Sequence, residues 1–112
     1  MIDNYTFGKF VIDGKDYNSN VILINKTVRP ARHLPNHELS LNDFVPLVEA
    51  KPEYIIIGTG ASGVMPVPED ISNFIKEKGI KLIVEKTGDA CQTYNALLKE
   101  EKKVAAFLHN TC

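Results

Sequence analysis

Tyr54-Ile55-Ile56-Ile57-Gly58-Thr59-Gly60-Ala61-Ser62-Gly63 is the stretch on which the fold turns. Its β-branched run reads as a strand, and Gly58 ends it. Ten residues after Gly58, Pro68 opens a helix through Lys78. Proline stands in its first turn, Glu69 and Asp70 follow, and Gly79 closes it. Ile71, Phe74 and Ile75 form its apolar stripe. Ile80 to Val84 reads as the next strand. Thr87 or Asp89 caps a further helix whose inward face is Ala90, Cys91, Tyr94, Leu97 and Leu98. Val104 to Leu108 is the last strand.

Upstream, Val21 to Ile24 is a continuous apolar run, suited to a strand covered on both faces. Leu41 to Ala50 reads as a helix capped by Ser40 or Asn42, which Pro46 keeps short or distorted. Between them, Asn25 to Ser40 is irregular, because Pro30 and Pro35 forbid a regular helix. Phe7 to Ile12 reads as a strand, Asp13-Gly14 as a tight turn, and Lys15 to Tyr17 as the returning arm. Strands alternating with helices predict a single α/β domain over residues 1–112. Its central sheet is expected to be parallel, with right-handed crossovers.

Composition narrows the function. The chain has 112 residues and a formal charge of −1, so one core is expected and no basic footprint for nucleic acid or an anionic membrane surface. Two cysteines, Cys91 and Cys112, are too few for a disulfide framework, and reduced thiols are expected. No apolar run is long enough to span a bilayer, and residues 1–5 lack the pattern of a signal peptide. A cytoplasmic protein is expected, as a monomer or homodimer.

In a parallel sheet all strand-to-helix loops share the carboxyl edge, where ligands of open α/β sheets bind. Lys26 to His37, Gly58 to Gly63, Glu85 to Asp89 and His109 to Cys112 are expected to meet there. Gly58 to Gly63 has G-x-G-x-x-G spacing, and Glu85 stands near where a ribose-binding acid would be. Yet a dinucleotide site needs its helix to start inside the glycine loop, and here five residues, Val64 to Pro68, intervene. The loop reads instead as a tight turn or as a nest of amides for a small anion. Both arginines, Arg29 and Arg32, lie in the proline-held segment. Their forks suit a carboxylate or phosphate, but a loop arginine more often pairs with a surface acid. His33 and His37 are not aligned by a helix, and no ligand set for a metal is present. Cys91 with His109 has the residue types of a nucleophile and base, though Cys91 also fits the apolar stripe as a core residue. Asn95 reads as a surface amide, and Lys99 to Lys103 as a solvated helix end. No motif for a cofactor occurs.

Three groups of residues carry a resemblance. The first is Gly58-Thr59-Gly60 after the isoleucine-rich strand, with the Pro68 helix ending in Lys78-Gly79-Ile80. The second is Thr87, Ala90 and Tyr94-Asn95-Ala96-Leu97. The third is Val104-Ala105-Ala106-Phe107-Leu108-His109-Asn110-Thr111-Cys112. Together they resemble the small single-domain family that includes the adipogenesis-associated domain protein of animals. A mitochondrial respiratory complex I assembly factor is a more distant relative. The resemblance implies a three-layer α/β domain with an additional β-layer from the N-terminus. Arg32 and His37 are similar to a family arginine and histidine. Family members often carry tryptophan in that loop, where this chain has Pro30 and no tryptophan.

The expected function is a non-enzymatic binding or assembly-type module. It would engage a protein partner or a small anionic ligand through the carboxyl edge. The candidate residues are Arg32, His37, Gly58, Gly60, Thr87, Cys91 and His109, with no metal or cofactor. The alternative is a small enzyme acting on an anionic substrate in a cleft formed by Gly58 to Gly63, Arg32 and His109.

Overall fold

The computed structural model describes residues 1–112. Its strands are β1 (Ile2–Thr6), β2 (Lys9–Ile12), β3 (Lys15–Tyr17), β4 (Asn20–Ile24), β5 (Thr27–Ala31), β6 (Tyr54–Gly58), β7 (Lys81–Glu85) and β8 (Val104–Leu108). Its helices are α1 (Val45–Glu49), α2 (Glu69–Glu77) and α3 (Thr87–Lys99). The strands form a three-stranded sheet ordered β1-β2-β3 and a five-stranded sheet ordered β5-β4-β8-β6-β7.

The central sheet buries both faces, and the period of 2 along its strands sorts the core into two halves. Ile22, Ile55, Ile57, Ala105 and Phe107 face Phe44, Leu47, Ile71 and Ile75 around α1 and α2. Val21, Leu23, Ile56, Val104, Ala106 and Leu108 face Ala90, Cys91 and Tyr94 of α3, together with Ile2, Phe10 and Ile12 of the small sheet. This is the three-layer α/β arrangement, with its N-terminal β-layer. Asn95 has a larger part than a surface amide: its side chain accepts from Ile2 N at 2.9 Å and donates to Ile2 O at 2.8 Å, fastening β1 to α3.

One expectation about the sheet is corrected. β6 is parallel to β7 and β8, but β4 runs antiparallel to β8, and β5 antiparallel to β4. The sheet is therefore mixed. The segment read as irregular holds β5, reached by a tight turn at Asn25 and Lys26, both at positive φ (51° and 65°). Those angles suit the primed turn that matches strand twist. Pro30 is tolerated because β5 is an edge strand, where a missing N–H can face away from the ladder.

The helix read over Leu41 to Ala50 is split. A 3-10 turn, Leu41–Asp43, precedes α1, with Ser40 and Asp43 forming a capping box. Pro46 sits in the first turn of α1. α2 lies within the span read from sequence, with Pro68 and Lys78 as its caps, and Gly79 at φ 75° follows it. α3 begins at Thr87, but the Thr87 hydroxyl does not cap it and is turned inward.

Candidate functional site

The carboxyl ends of β6, β7 and β8 point to one edge. Because β4 runs the other way, its start lies at that edge, and so does the end of β5. Of the Lys26 to His37 segment only the later part arrives there. Lys26 lies at the opposite edge, beside Leu98 and Lys102.

The last four residues, His109 to Cys112, leave β8 and cross this edge. On one side they fill the glycine loop. Ala61 N donates to Thr111 O at 3.1 Å, and Val64 N donates to Cys112 O at 3.5 Å. A Cβ on Gly60 would collide with the backbone carbon and oxygen of Cys112, and φ there is 103°. The glycine is required by the chain's own backbone, which approaches where a side chain would stand. Gly58 is similarly confined, since a Cβ would lie 2.9 Å from both Leu108 Cδ2 and Thr87 Oγ1. Met65 is buried in the core and donates its N–H to Thr59 O, pinning the far end of the loop. α2 does not begin until Glu69, so the helix that follows the glycine loop in sequence does not open inside it.

Thr87 locks the edge together. Its buried hydroxyl accepts from Gly60 N at 2.8 Å and donates to His109 O at 2.8 Å. The hydroxyl spans the glycine loop, the start of α3 and the tail. Glu85, at the end of the outermost parallel strand, keeps its carbonyl on Thr59 and has one carboxylate oxygen buried without a partner.

On the other side of the tail the contacts are between side chains. Asn20 Nδ2 donates to Arg32 O at 3.0 Å, and its Oδ1 accepts from Asn110 N at 2.9 Å. These two bonds set which way the amide points. Asn20 Oδ1 also lies 2.8 Å from His109 Nδ1, and an amide oxygen can only accept, so Nδ1 carries the ring proton. Neutral His109 then presents an unprotonated Nε2, 3.0 Å from His37 Nδ1, which must donate. His37 Nε2 is left as an acceptor, 3.4 Å from Cys112 Sγ. The result is one directed chain of hydrogen bonds: Cys112 to His37 to His109 to Asn20 to the Arg32 carbonyl. Thr111 Oγ1 lies 3.5 Å from His109 Nε2 at its flank. Burial, and then the neighbouring His37 and His33, hold the His109 pKa below its ordinary 6.5, which favours this neutral form. Asn36 and His37 both take positive φ, 55° and 56°, in presenting the His37 ring.

The remaining candidates are used elsewhere. Both arms of the Arg32 fork bind Asp43, through Nε at 2.7 Å and Nη2 at 2.9 Å, and Asp43 itself caps the turn below. Arg32 contributes only its carbonyl to the chain of bonds. Arg29 is exposed on β5. Cys91 is buried against the small sheet, where desolvation pushes its thiol up to about 12. It lines a surface hollow with Ile2 and Tyr5, apart from the hollow that His37 and His109 line. Of the two thiols, Cys112 is the one that meets a histidine. No group of three or more His, Cys, Asp or Glu side chains is placed to hold a metal. Asn20 was not singled out from sequence. It stands 89 residues from its histidine, and no local pattern announces such a pair.

The hollow beside this chain of bonds is small, about 190 Å³, and polar, with Asn18, Ser19, His33 and Thr111 in its wall. Hollows of about 330 and 490 Å³ lie at the opposite edge, the first beside Lys26, Glu101, Lys102 and Lys103, the second beside Glu49, Lys51 and Lys78. Two apolar side chains stand out near the tail: Phe7 is 67% exposed and Val64 is 63% exposed. Phe7 belongs to the β1–β2 turn, where Gly8 N and Tyr5 Oη donate to Asn110 O, and Val64 follows the glycine loop on Cys112 O.

Similar proteins share this architecture. A 13 kDa major membrane protein of Francisella tularensis subsp. holarctica (strain LVS) is 30% identical over 111 residues, covering 93% of this chain and 85% of that protein. The NADH dehydrogenase [ubiquinone] 1 alpha subcomplex assembly factor 3 of Xenopus tropicalis is 26% identical over 110 residues, covering 96% of this chain and 60% of the assembly factor. The crystal structure of an outer membrane protein from Bartonella henselae superimposes with a TM-score of 0.87 at 27% identity, covering 99% of this chain and 94% of that one. No helix of the present protein is long and apolar enough to cross a membrane. A family model spans nearly the whole fold, from β1 through β8 to His109. With residues 2–109 matched, the chain belongs to the family described as protein of unknown function (DUF498/DUF598).

Proposed function

We propose that the protein is a non-enzymatic binding module of assembly type, which engages a polypeptide partner through the carboxyl edge of its central sheet. The observation that carries this reading is the filling of the glycine loop by the tail. Of the amides that would cradle a small anion, Ala61 N and Val64 N donate to the Thr111 and Cys112 carbonyls, Gly60 N to the Thr87 hydroxyl and Gly63 N to Gly60 O. The Arg32 fork that would clamp an anion is held by Asp43. The hollow that His37 and His109 line, about 190 Å³, is below the usual range of roughly 300–1,000 Å³ for small-molecule sites. What the edge offers is exposed surface: Phe7 and Val64 beside the tail, with the polar hollow between β4 and the His37 loop. Relatedness to a complex I assembly factor supports a partner that is itself a protein. We further propose that the adipogenesis-associated protein of animals is a relative of this chain and that the protein works in the cytoplasm.

The test is site-specific photocrosslinking in cells, with the crosslinking residue at position 7 or 64 and, as a control, at Val84 on the outer strand. Discrete adducts of one partner from positions 7 and 64, absent from position 84, are expected. The competing reading is a small enzyme whose anionic substrate sits between Arg32, the glycine loop and His109. A thermal-shift screen against nucleotides and small carboxylic acids addresses it, because a ligand of the native state raises stability. A shift that Arg32→Ala abolishes would replace the partner reading with the enzymatic one.

A further inference from the structure

We propose that Cys112 is a modification site: an activated thiol that forms mixed disulfides with small polar disulfides, with His37 as its base and His109 and Asn20 as positioning residues. The inference is independent of the partner reading and stands on the directed chain of hydrogen bonds. The thiol donates to His37 Nε2 at 3.4 Å, His37 Nδ1 donates to His109 Nε2 at 3.0 Å, and His109 Nδ1 donates to Asn20 Oδ1 at 2.8 Å. A nucleophile, a base and a group orienting that base are the parts needed to activate a thiol. Here a second histidine stands between the base and the amide that fixes its tautomer. Proton transfer from Cys112 Sγ to His37 Nε2 creates a thiolate beside an imidazolium. Neutral His109 accepts from that imidazolium and stabilises it.

The surroundings select the electrophile. Attack on a carbonyl carbon would build an oxyanion, and the neighbouring amides of Ala61 and Val64 are already bonded to the tail. Thiol–disulfide exchange builds no oxyanion and needs only a thiolate and a leaving thiol. The thiolate attacks one sulfur of R–S–S–R, the new Sγ–S bond forms, and the old S–S bond breaks. The departing thiolate takes the proton from His37. Cys112 is oxidised, the leaving sulfur is reduced, and the base ends as it began. Cys91 is buried and pushed up to about 12, so it supplies no resolving thiolate. The mixed disulfide therefore persists as a modification rather than turning over. Cys112 does not itself line the hollow of about 190 Å³, but its base His37 and its neighbour Thr111 do, and that space of roughly six waters suits a short polar substituent on sulfur.

The whole protein is treated with dithiodipyridine to follow rate, and with glutathione disulfide to follow the adduct by peptide mass. At pH 7 Cys112 should react about tenfold faster than the same cysteine in the urea-unfolded chain, with Cys91 unlabelled. Tyr5 and His37 are the titratable side chains that act on or contact Cys112. The pH–rate profile of the native protein should differ from that of the unfolded chain, and His37→Ala should return both rate and profile to those of the unfolded chain. If circular dichroism shows that variant unfolded, His37→Gln, which offers no titrating nitrogen, takes its place. Cys112→Ser should remove the fast phase. A native rate no faster than the unfolded one, or a rate indifferent to the residue at position 37, overturns the proposal.

Discussion

The two sides of the carboxyl edge are built by the same four residues and come to opposite ends. On the glycine side, the tail meets the loop backbone to backbone, and Thr111 and Cys112 carbonyls take the amides of Ala61 and Val64 and the space beside Gly60. On the histidine side, the tail meets β4 and the His37 loop through side chains, which end in a half-buried thiol beside a polar hollow. Glycines at a sheet edge thus mark a close approach of something. Their spacing does not say whether that something is a phosphate or the chain itself.

The sharpest way to break this contrast is Gly60→Ala. It puts a methyl group into the Cys112 backbone at φ 103°, so a loss of about 3 kcal/mol in urea denaturation is expected. A variant as stable as wild type would mean that the tail is not seated there. Thr87→Val comes next. It keeps the shape and removes two buried bonds, leaving Gly60 N and His109 O unpaired, at a cost of about 2 kcal/mol by the same measurement.

The histidine side should show itself through pH. The folded protein holds His109 below the ordinary 6.5, so the unfolded chain takes up the proton first. Stability should therefore fall as pH drops below about 6.5 towards the folded value. Thermal unfolding between pH 7.5 and 5.5 should show that decline in wild type, and a shallower one in His109→Gln. Equal slopes would remove His109 as the group responsible. The smallest effect is expected from Arg32→Ala. Its Asp43 pair is solvent-facing on the arginine side, so less than about 1 kcal/mol should be lost, with no change at His109.

Much of the fold was legible in local pattern. Isoleucine runs, Pro68 before an acidic turn and Gly79 after it dictate elements that form wherever they are placed. Asp13-Gly14 was readable as a hairpin turn because glycine declares it. The Asn25-Lys26 turn does the same work with a lysine at φ 65°, and Pro30 then disguises β5 as a loop. That one missed hairpin hid the antiparallel half of the sheet. It also explains why His37 reaches the edge at all. Arg32, His37, Thr87 and His109 were visible as chemically unusual residues near one edge. Their partners were not, because Asn20 to His109 and Cys112 to His37 join residues 89 and 75 apart. Only the packing of β4 against β8 brings them together.

The most direct test of a filled side and a polarised side is the imidazole nitrogen spectrum of the native protein, read by long-range proton–nitrogen correlation at pH 7.5. The hydrogen-bond directions predict neutral His109 with its proton on Nδ1 towards Asn20, and His37 carrying a proton on Nδ1 towards His109. A His109 protonated on Nε2 would contradict the chain of bonds at its source.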